Sequence, residues 1–304
     1  MPGADPPVAS RHAPATIWVV VALVGVTAIW GSTFVVVKDA IDRMPVMDFL
    51  AWRFAIAALV MLALRPRSLT RLSRTGRRHG VALGVALGAG YIFQTVGLRT
   101  TDAAVSGFIT GMFVVFTPLA AAGLLRRRPS AGAWAAVLLA TVGLGLLSLQ
   151  GLHVGTGEAL TLMCAVAFAL HIVGLGEWSS ANDAYALAVV QLSVVAVGCT
   201  LGALAGGLVV PPDLEVWAAL ALTALLATAV AFVVQTWAQA HLAPTRAAVI
   251  MTMEPVFAGA FAALGGEAFG ARKVVGSALI LTAMLAVELG PRRGAEGEVP
   301  RLET

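Results

Sequence analysis

Charge is scarce in this chain. Only 12% of its 304 residues are Asp, Glu, Lys or Arg, and just two of them, Lys38 and Lys273, are lysines. A soluble domain carries about a quarter of its residues as charges, so a soluble fold is excluded. Cysteine is equally thin: Cys164 and Cys199 are the only two, and both stand inside apolar runs. That leaves neither a disulfide framework nor a cysteine metal site. No HExxH, P-loop GxxxxGK[ST], CxxC pair or GxSxG elbow occurs, and the connecting segments are too short to hold a soluble catalytic domain. An enzyme is therefore not expected, no cofactor is implied, and any transport is passive or driven by a gradient.

Apolar residues supply 59% of the chain. They fall into ten stretches, about 16–38, 47–64, 79–98, 103–125, 131–149, 156–177, 185–207, 216–239, 245–265 and 271–289. Most have the length that a helix needs to cross a hydrocarbon core, about 20 residues. Transmembrane β-strands are shorter and alternate in polarity. The expected fold is an all-α integral membrane protein with ten transmembrane helices. Residues 1–15 lack the pattern of a removed signal, so the first helix is expected to be an uncleaved span behind a short tail. The sizeable loop is RPRSLTRLSRTGRRHG (65–80).

Basic residues set the expected orientation. With the N-terminus inside, fourteen arginines fall on the cytoplasmic side, in Arg11, the 65–78 loop, 126–128, Arg246 and the C-terminal tail (290–304). The opposite side holds five basic residues, Lys38, Arg43, Arg99, Arg272 and Lys273. This bias places both termini in the cytoplasm. It also accounts for the arginines without nucleic acid. The dearth of lysine against abundant arginine and alanine points to a GC-rich bacterial genome and so to the plasma (inner) membrane.

The chain repeats itself. Shifted by 141 positions, FQTVGL (93–98) falls on VQTWAQ (234–239), which pairs Gln94 with Gln235 and Thr95 with Thr236. The same shift pairs Ile109 with Ile250, Met112 with Met253, and Phe116 with Phe257. Each half (16–149 and 156–289) then holds five spans. An odd number forces the second copy to enter the membrane in the opposite sense, as an inverted repeat. Such pairs place a substrate site near the midplane, where the halves meet.

Three stretches carry a resemblance to a known family: WGSTFVVVKDA (30–40), GLRTTDAAVSGFITGMFVVFTPL (97–119) and LAPTRAAVIMTMEPVFAGAFAALGGEAFG (242–270). They resemble the EamA family of the drug/metabolite transporter superfamily, in two EamA-like halves. The resemblance implies a secondary carrier with a central cavity that moves small metabolites, often amino acids or related amphiphiles, and often outward. Glu254-Pro255 and Gly266-Glu267 match its second-half pattern. The first half has Phe113-Val114 and Leu125-Arg126 there, so any role of these acids is asymmetric.

Glu254 is the first candidate, in MTMEPVF (251–257) near the middle of span nine. A charge there costs on the order of 3 kcal/mol, so the carboxyl faces a wet cavity, finds a donor or stays protonated. Proton coupling or gating is one role. The other is structural, because Pro255 strips the Met251 carbonyl of its usual donor. His171 in span six either bonds a neighbouring helix or serves substrate contact or proton relay; by repeat position it falls close to Trp30-Gly31. Trp30, Phe34 and Lys38 form one stripe on span one, with Lys38 expected at the outer interface beside Asp39. Trp30 and Phe34 either line the cavity or pack. Tyr91, Gln94, Gln235 and Gln239 are polar handles for a cavity or for helix pairing, and Phe113 is a further wall residue. Arg53 is read as structural, with Asp48 or a helix end. Gly80, Gly84 and Gly88 form a small-residue ladder for helix packing.

The expected partners are a small-molecule substrate and the lipid bilayer, with proton coupling possible in principle and the oligomeric state open. A multidrug carrier, a non-transporting sensor and an intramembrane enzyme are the alternatives. Sugar phosphates rank low, because they demand several cavity-facing basic residues.

Overall fold

The computed structural model describes residues 13–101, 103–126, 129–148, 155–264 and 270–289, and everything it describes beyond the connecting turns is helical. The tails at 1–12 and 290–304 lie outside the described residues, as do Arg127, Arg128 and the Gly266-Glu267 pair. Among the described residues thirteen α-helices follow one another: α1 (Ala13–Arg43), α2 (Val46–Leu64), α3 (Arg74–Leu98), α4 (Ala103–Gly111), α5 (Phe113–Leu125), α6 (Ala131–Ser148), α7 (Thr156–Trp178), α8 (Ala184–Leu204), α9 (Leu214–Ala224), α10 (Ala231–Gln239), α11 (Pro244–Met251), α12 (Met253–Leu264) and α13 (Ala271–Leu289). Three of the expected spans are interrupted. The fourth breaks at Met112 into α4 and α5, and the ninth at Thr252 into α11 and α12. The eighth keeps its course from α9 to α10 through a π-helical turn, Leu225–Val230. Joined this way, the helices make ten rods, five in each half.

Length and composition suit a bilayer. Among the described residues six continuous stretches, including Val46–Leu64 and Leu214–Gln239, are long and apolar enough to cross a membrane. Large apolar side chains such as Trp18, Val35, Leu59, Val85, Leu138 and Leu201 are exposed. In water they would be a liability, whereas lipid is their ordinary solvent. Two helices outrun the sequence reading. Ser73 caps α3, its hydroxyl accepting from the Gly76 N–H at 3.0 Å, so the arginine-rich loop turns helical from Arg74 onward. At the other end of the first rod, Arg43 pairs with Asp39 one turn back at 3.0 Å, which carries α1 through to Arg43. Arg43 also reaches Glu215 and, at 2.8 Å, Asp213, tying the end of α1 to the start of α9. The Val216 N–H and this guanidinium both donate to Asp213 and hold its carboxyl below its ordinary range. Lys38 takes a different partner from the expected Asp39: it donates to the Thr101 carbonyl at 3.0 Å.

The packing obeys a two-fold exchange of each rod with the one five places on. Rod three lies on rod six (α3 on α7), and rod eight lies on rod one (α10 on α1). Rod one also lies on rod nine (α12), and rod six on rod four (α4 and α5). Rods two and seven (α2, α8) and rods five and ten (α6, α13) pair across the axis. This is the arrangement of an inverted repeat.

Glycine sets the closest approaches. The ladder Gly80, Gly84 and Gly88 lies against α8, where a Cβ on Gly84 would stand 2.9 Å from the Gln191 carbonyl oxygen and 2.7 Å from the Val194 side chain. At Gly88 the same atom would meet Val195 at 3.5 Å, an ordinary contact. Gly84→Ala is therefore expected to destabilise the purified protein by about 1–3 kcal/mol, the usual cost of overpacking, while Gly88→Ala stays near wild type. Thermal unfolding in detergent, followed by size-exclusion recovery, checks the pair; equal losses at both positions would contradict the packing described.

Candidate functional site

The ten rods leave a cavity of about 70 Å³ where the halves meet, room for on the order of five waters. Rods one to four and six, eight and nine supply its wall. Seven of the eight residues expected there, Trp30, Phe34, Tyr91, Gln94, Phe113, His171 and Gln235, line it, as does Glu254. Gln239 does not. It is buried and donates to the Ile172 carbonyl at 2.9 Å, binding rod eight to rod six. Pro255 is buried behind the wall in the first turn of α12, where its missing N–H costs nothing.

Much of the wall is symmetric. Gln94 donates to the Thr110 hydroxyl at 3.2 Å, and its mate Gln235 reaches Met251, the repeat equivalent of Thr110, with Nε2 to Sδ at 3.6 Å. Both amides therefore bridge equivalent rods while facing the cavity. Tyr91 and Phe232 are likewise repeat mates. Trp30 meets Phe232 at 5.6 Å between ring centroids, and Phe168 meets Tyr91 at 5.5 Å. Phe168 rather than His171 thus makes the contact that mirrors Trp30. The Trp30 Nε1–H donates to the Ala227 carbonyl inside the π-helical turn at 2.8 Å.

His171 is buried on rod six, with Nε2 2.7 Å from Gln191 Oε1. Gln191 in turn donates to the Leu187 carbonyl at 3.2 Å. The imidazole is thus an interhelix partner that also borders the cavity, with its ring centroid 6.1 Å from that of Phe232.

Arg53 departs most from the sequence reading. It is 3% exposed and lines the cavity. Its Nε donates to the Thr228 hydroxyl at 2.8 Å, and Nη2 lies 3.4 Å from the Tyr91 hydroxyl. Asp48, the expected partner, instead accepts from the Val209 N–H at 2.6 Å. Five residues of α-helix turn a side chain by roughly 140°, so the two point to different faces. A lone arginine in an apolar run gives no hint of which face it takes, and Thr228 is 175 residues away.

Glu254 is half-buried, and among the described residues its carboxyl has no hydrogen-bond or ion-pair partner. The reading in which it satisfies groups freed by Pro255 therefore fails. Neither Arg53 nor Glu254 has a charged repeat mate. Phe113 stands opposite Glu254, and Gln191 holds in α8 the eighth-residue position that Arg53 holds in α2. Among the described residues no group of His, Cys, Asp and Glu could hold a metal ion.

The His171–Gln191 bond makes a separable prediction. His171→Phe leaves Gln191 Oε1 buried without a donor, a loss of about 1–3 kcal/mol, and adding Gln191→Leu recovers most of it. A double-mutant cycle on thermal stability reads this out. Additive losses would mean that the two side chains do not support each other.

Both halves match one family description, EamA-like transporter family, over residues 17–149 and 155–289. An "Uncharacterized transporter" of Archaeoglobus fulgidus is 34% identical over 270 residues, covering 87% of this chain and 83% of that protein. A protein crystal structure shares the fold at a TM-score of 0.76 with 18% identity, covering 91% of this chain and 97% of its own. With two matched halves, an all-helical inverted repeat and a cavity between them, the chain belongs to the EamA-like transporter family and is a multi-pass membrane transporter rather than an enzyme.

Proposed function

We propose that this transporter is a secondary carrier of small organic metabolites, amino acids or related amphiphiles, working by alternating access around the central cavity and exporting its cargo. The observation that carries the reading is the wall itself. Six aromatic rings, Trp30, Phe34, Tyr91, Phe113, Phe168 and Phe232, and a few amide and hydroxyl groups surround a small space with one cation and one carboxylate. Apolar walls with sparse, placed polar groups suit small amphiphilic ligands. Sugar phosphates and nucleotide sugars fit poorly, because a phosphate calls for several basic residues. The arginine bias of the loops supports a plasma-membrane orientation with both termini in the cytoplasm.

Glu254 is assigned to proton coupling. A carboxyl without a protein partner, at the edge of a wet cavity, can take up and release a proton without breaking an existing bond. In proteoliposomes at saturating cargo, Glu254→Gln is expected to retain counterflow exchange and to lose accumulation driven by a pH gradient. Equal loss of both activities would assign the residue to structure, and full retention of both would remove it from the mechanism. The cargo class itself is tested by efflux from loaded bacterial cells overexpressing the protein, against a panel of labelled amino acids and toxic amphiphiles. Selective loss of one amino-acid class is expected. Broad resistance to unrelated amphiphiles would turn the reading to a multidrug carrier.

A further inference from the structure

Arg53 brings a full positive charge to the membrane interior, and the protein only partly answers it. A guanidinium has five N–H donors in a planar fork. Thr228 takes one of them, and the Tyr91 hydroxyl a second at a long 3.4 Å. Among the described residues no carboxylate forms an ion pair with Arg53. The Tyr91 ring lies 4.8 Å and the Phe54 ring 5.6 Å from its Cζ. These contacts hold the guanidinium in place and, among the described residues, leave Nη1 without an acceptor. Nη1 is absent from the buried, unpartnered polar atoms, so it borders open space. A buried arginine fixed through Nε, with Nη1 at the edge of a cavity, is placed to donate to a carboxylate.

The same cavity holds the opposite pole. Glu254 has no protein partner among the described residues, and Gln235, also on the wall, has its Oε1 buried with nothing donating to it. Gln235 Nε2 is already engaged, by Gln239 Oε1 at 3.0 Å and by Met251. The carboxylate is an acceptor awaiting a donor, whereas the amide oxygen is enclosed by protein and out of a cargo's reach. Glu254 stands on rod nine, whereas Arg53 stands on rod two.

From this geometry, and resting on the carrier reading above, we infer that Arg53 is the anion-binding residue of the cavity. The cargo is a zwitterion of amino-acid type, with its carboxylate on Arg53 and its ammonium toward Glu254. Each charge of the protein meets one of the opposite sign, so loading adds no net charge to the membrane interior. A monoanion or a monocation would leave one pole unanswered in a low-dielectric site, where an unpaired charge is most costly. One fork-shaped cation also matches one carboxylate, which separates this site from a phosphate cradle.

The test is counterflow in proteoliposomes at cargo concentrations well below saturation, with two matched series. Leucine is compared with 4-methylpentanoate and 3-methylbutylamine, and phenylalanine with 3-phenylpropanoate and phenethylamine. In at least one series the zwitterion should move roughly tenfold or more faster than either half-charged analogue, the scale of a charge-assisted hydrogen bond. Arg53→Gln should remove that advantage over the amine, and Arg53→Lys should restore part of it. Glu254→Gln should instead narrow the advantage over the carboxylate. Monodisperse elution of each variant separates these effects from misfolding, and Arg53→Lys keeps the comparison if the glutamine variant does not fold. Amines carried as fast as zwitterions by the wild type, or zwitterion flux unchanged in Arg53→Gln, would overturn the assignment while leaving a carrier. Failure to move any of the six compounds would count against the carrier reading for this cargo class and overturn the assignment with it.

Discussion

Lipid offers no hydrogen bonds, so each backbone N–H and C=O within the membrane must find a partner inside the protein. Ten helical rods follow from that constraint, and so does the place where they are allowed to fail. The interruptions at Met112, at Thr252 and in the π-helical turn Leu225–Val230 all adjoin the cavity, whose wall includes Thr110, Phe113, Met251, Glu254 and Phe232. Freed groups are met locally. The Ala227 carbonyl takes the Trp30 indole N–H, and the Thr252 hydroxyl donates back to the Val249 carbonyl at 2.6 Å. A π-helical turn inside an α-helix is often a mark of function. Here it displays Ala227 to Trp30 and Thr228 to Arg53, so one irregular turn orients an aromatic wall residue and the buried cation together.

Two-fold symmetry supplies the frame, and departures from it supply the chemistry. The mates Tyr91 and Phe232, and Gln94 and Gln235, keep the halves alike in shape and in the way their rods are bridged. Alternating access asks for that likeness, because the two closed forms of such a carrier exchange the roles of the halves. Charge breaks the likeness. Arg53 comes from the first half where the second has neutral Gln191, and Glu254 comes from the second where the first has Phe113. The cavity between them is therefore a polar axis rather than a symmetric hole, as the proposed zwitterionic cargo would require.

Periodicity and composition carry the frame: the rods, the repeat and the glycine ladder are all written in runs or recurrences that survive without knowledge of packing, whereas Phe168 and Phe232 join the wall only once the rods are packed. Arg53 was not legible, because its meaning depends on Thr228 and Tyr91, which the chain order holds far apart. Gln239 was misplaced because four residues separate it from Gln235, and that spacing alone cannot say which of two stacked amides reaches the cavity and which reaches Ile172. His171 was matched to Trp30 by a shift that holds for rods three and four. The starts of α2 and α8, at Val46 and Ala184, lie three residues out of that register, and the contact that mirrors Trp30 falls on Phe168, almost one turn earlier. The helix breaks escaped notice for a related reason: Met112 and Thr252 sit in apolar stretches whose hydropathy never drops.

An acid followed by proline makes sense within this frame. Pro255 is the third residue of α12, where no N–H is needed, so the rod can restart there without an orphaned donor. The Glu254 backbone is gripped from the other half: a Cβ on Gly31 would stand 2.6 Å from the Glu254 carbonyl oxygen, so α1 meets α12 there at glycine distance. One residue therefore joins a side chain open to the cavity with a main chain held at the contact between halves. On the carrier mechanism proposed above, a change in the charge of that carboxyl, whether by a proton or by a bound ammonium, would act at a point that the two halves share. An apolar residue at this position would keep the contact and lose the means to bias it.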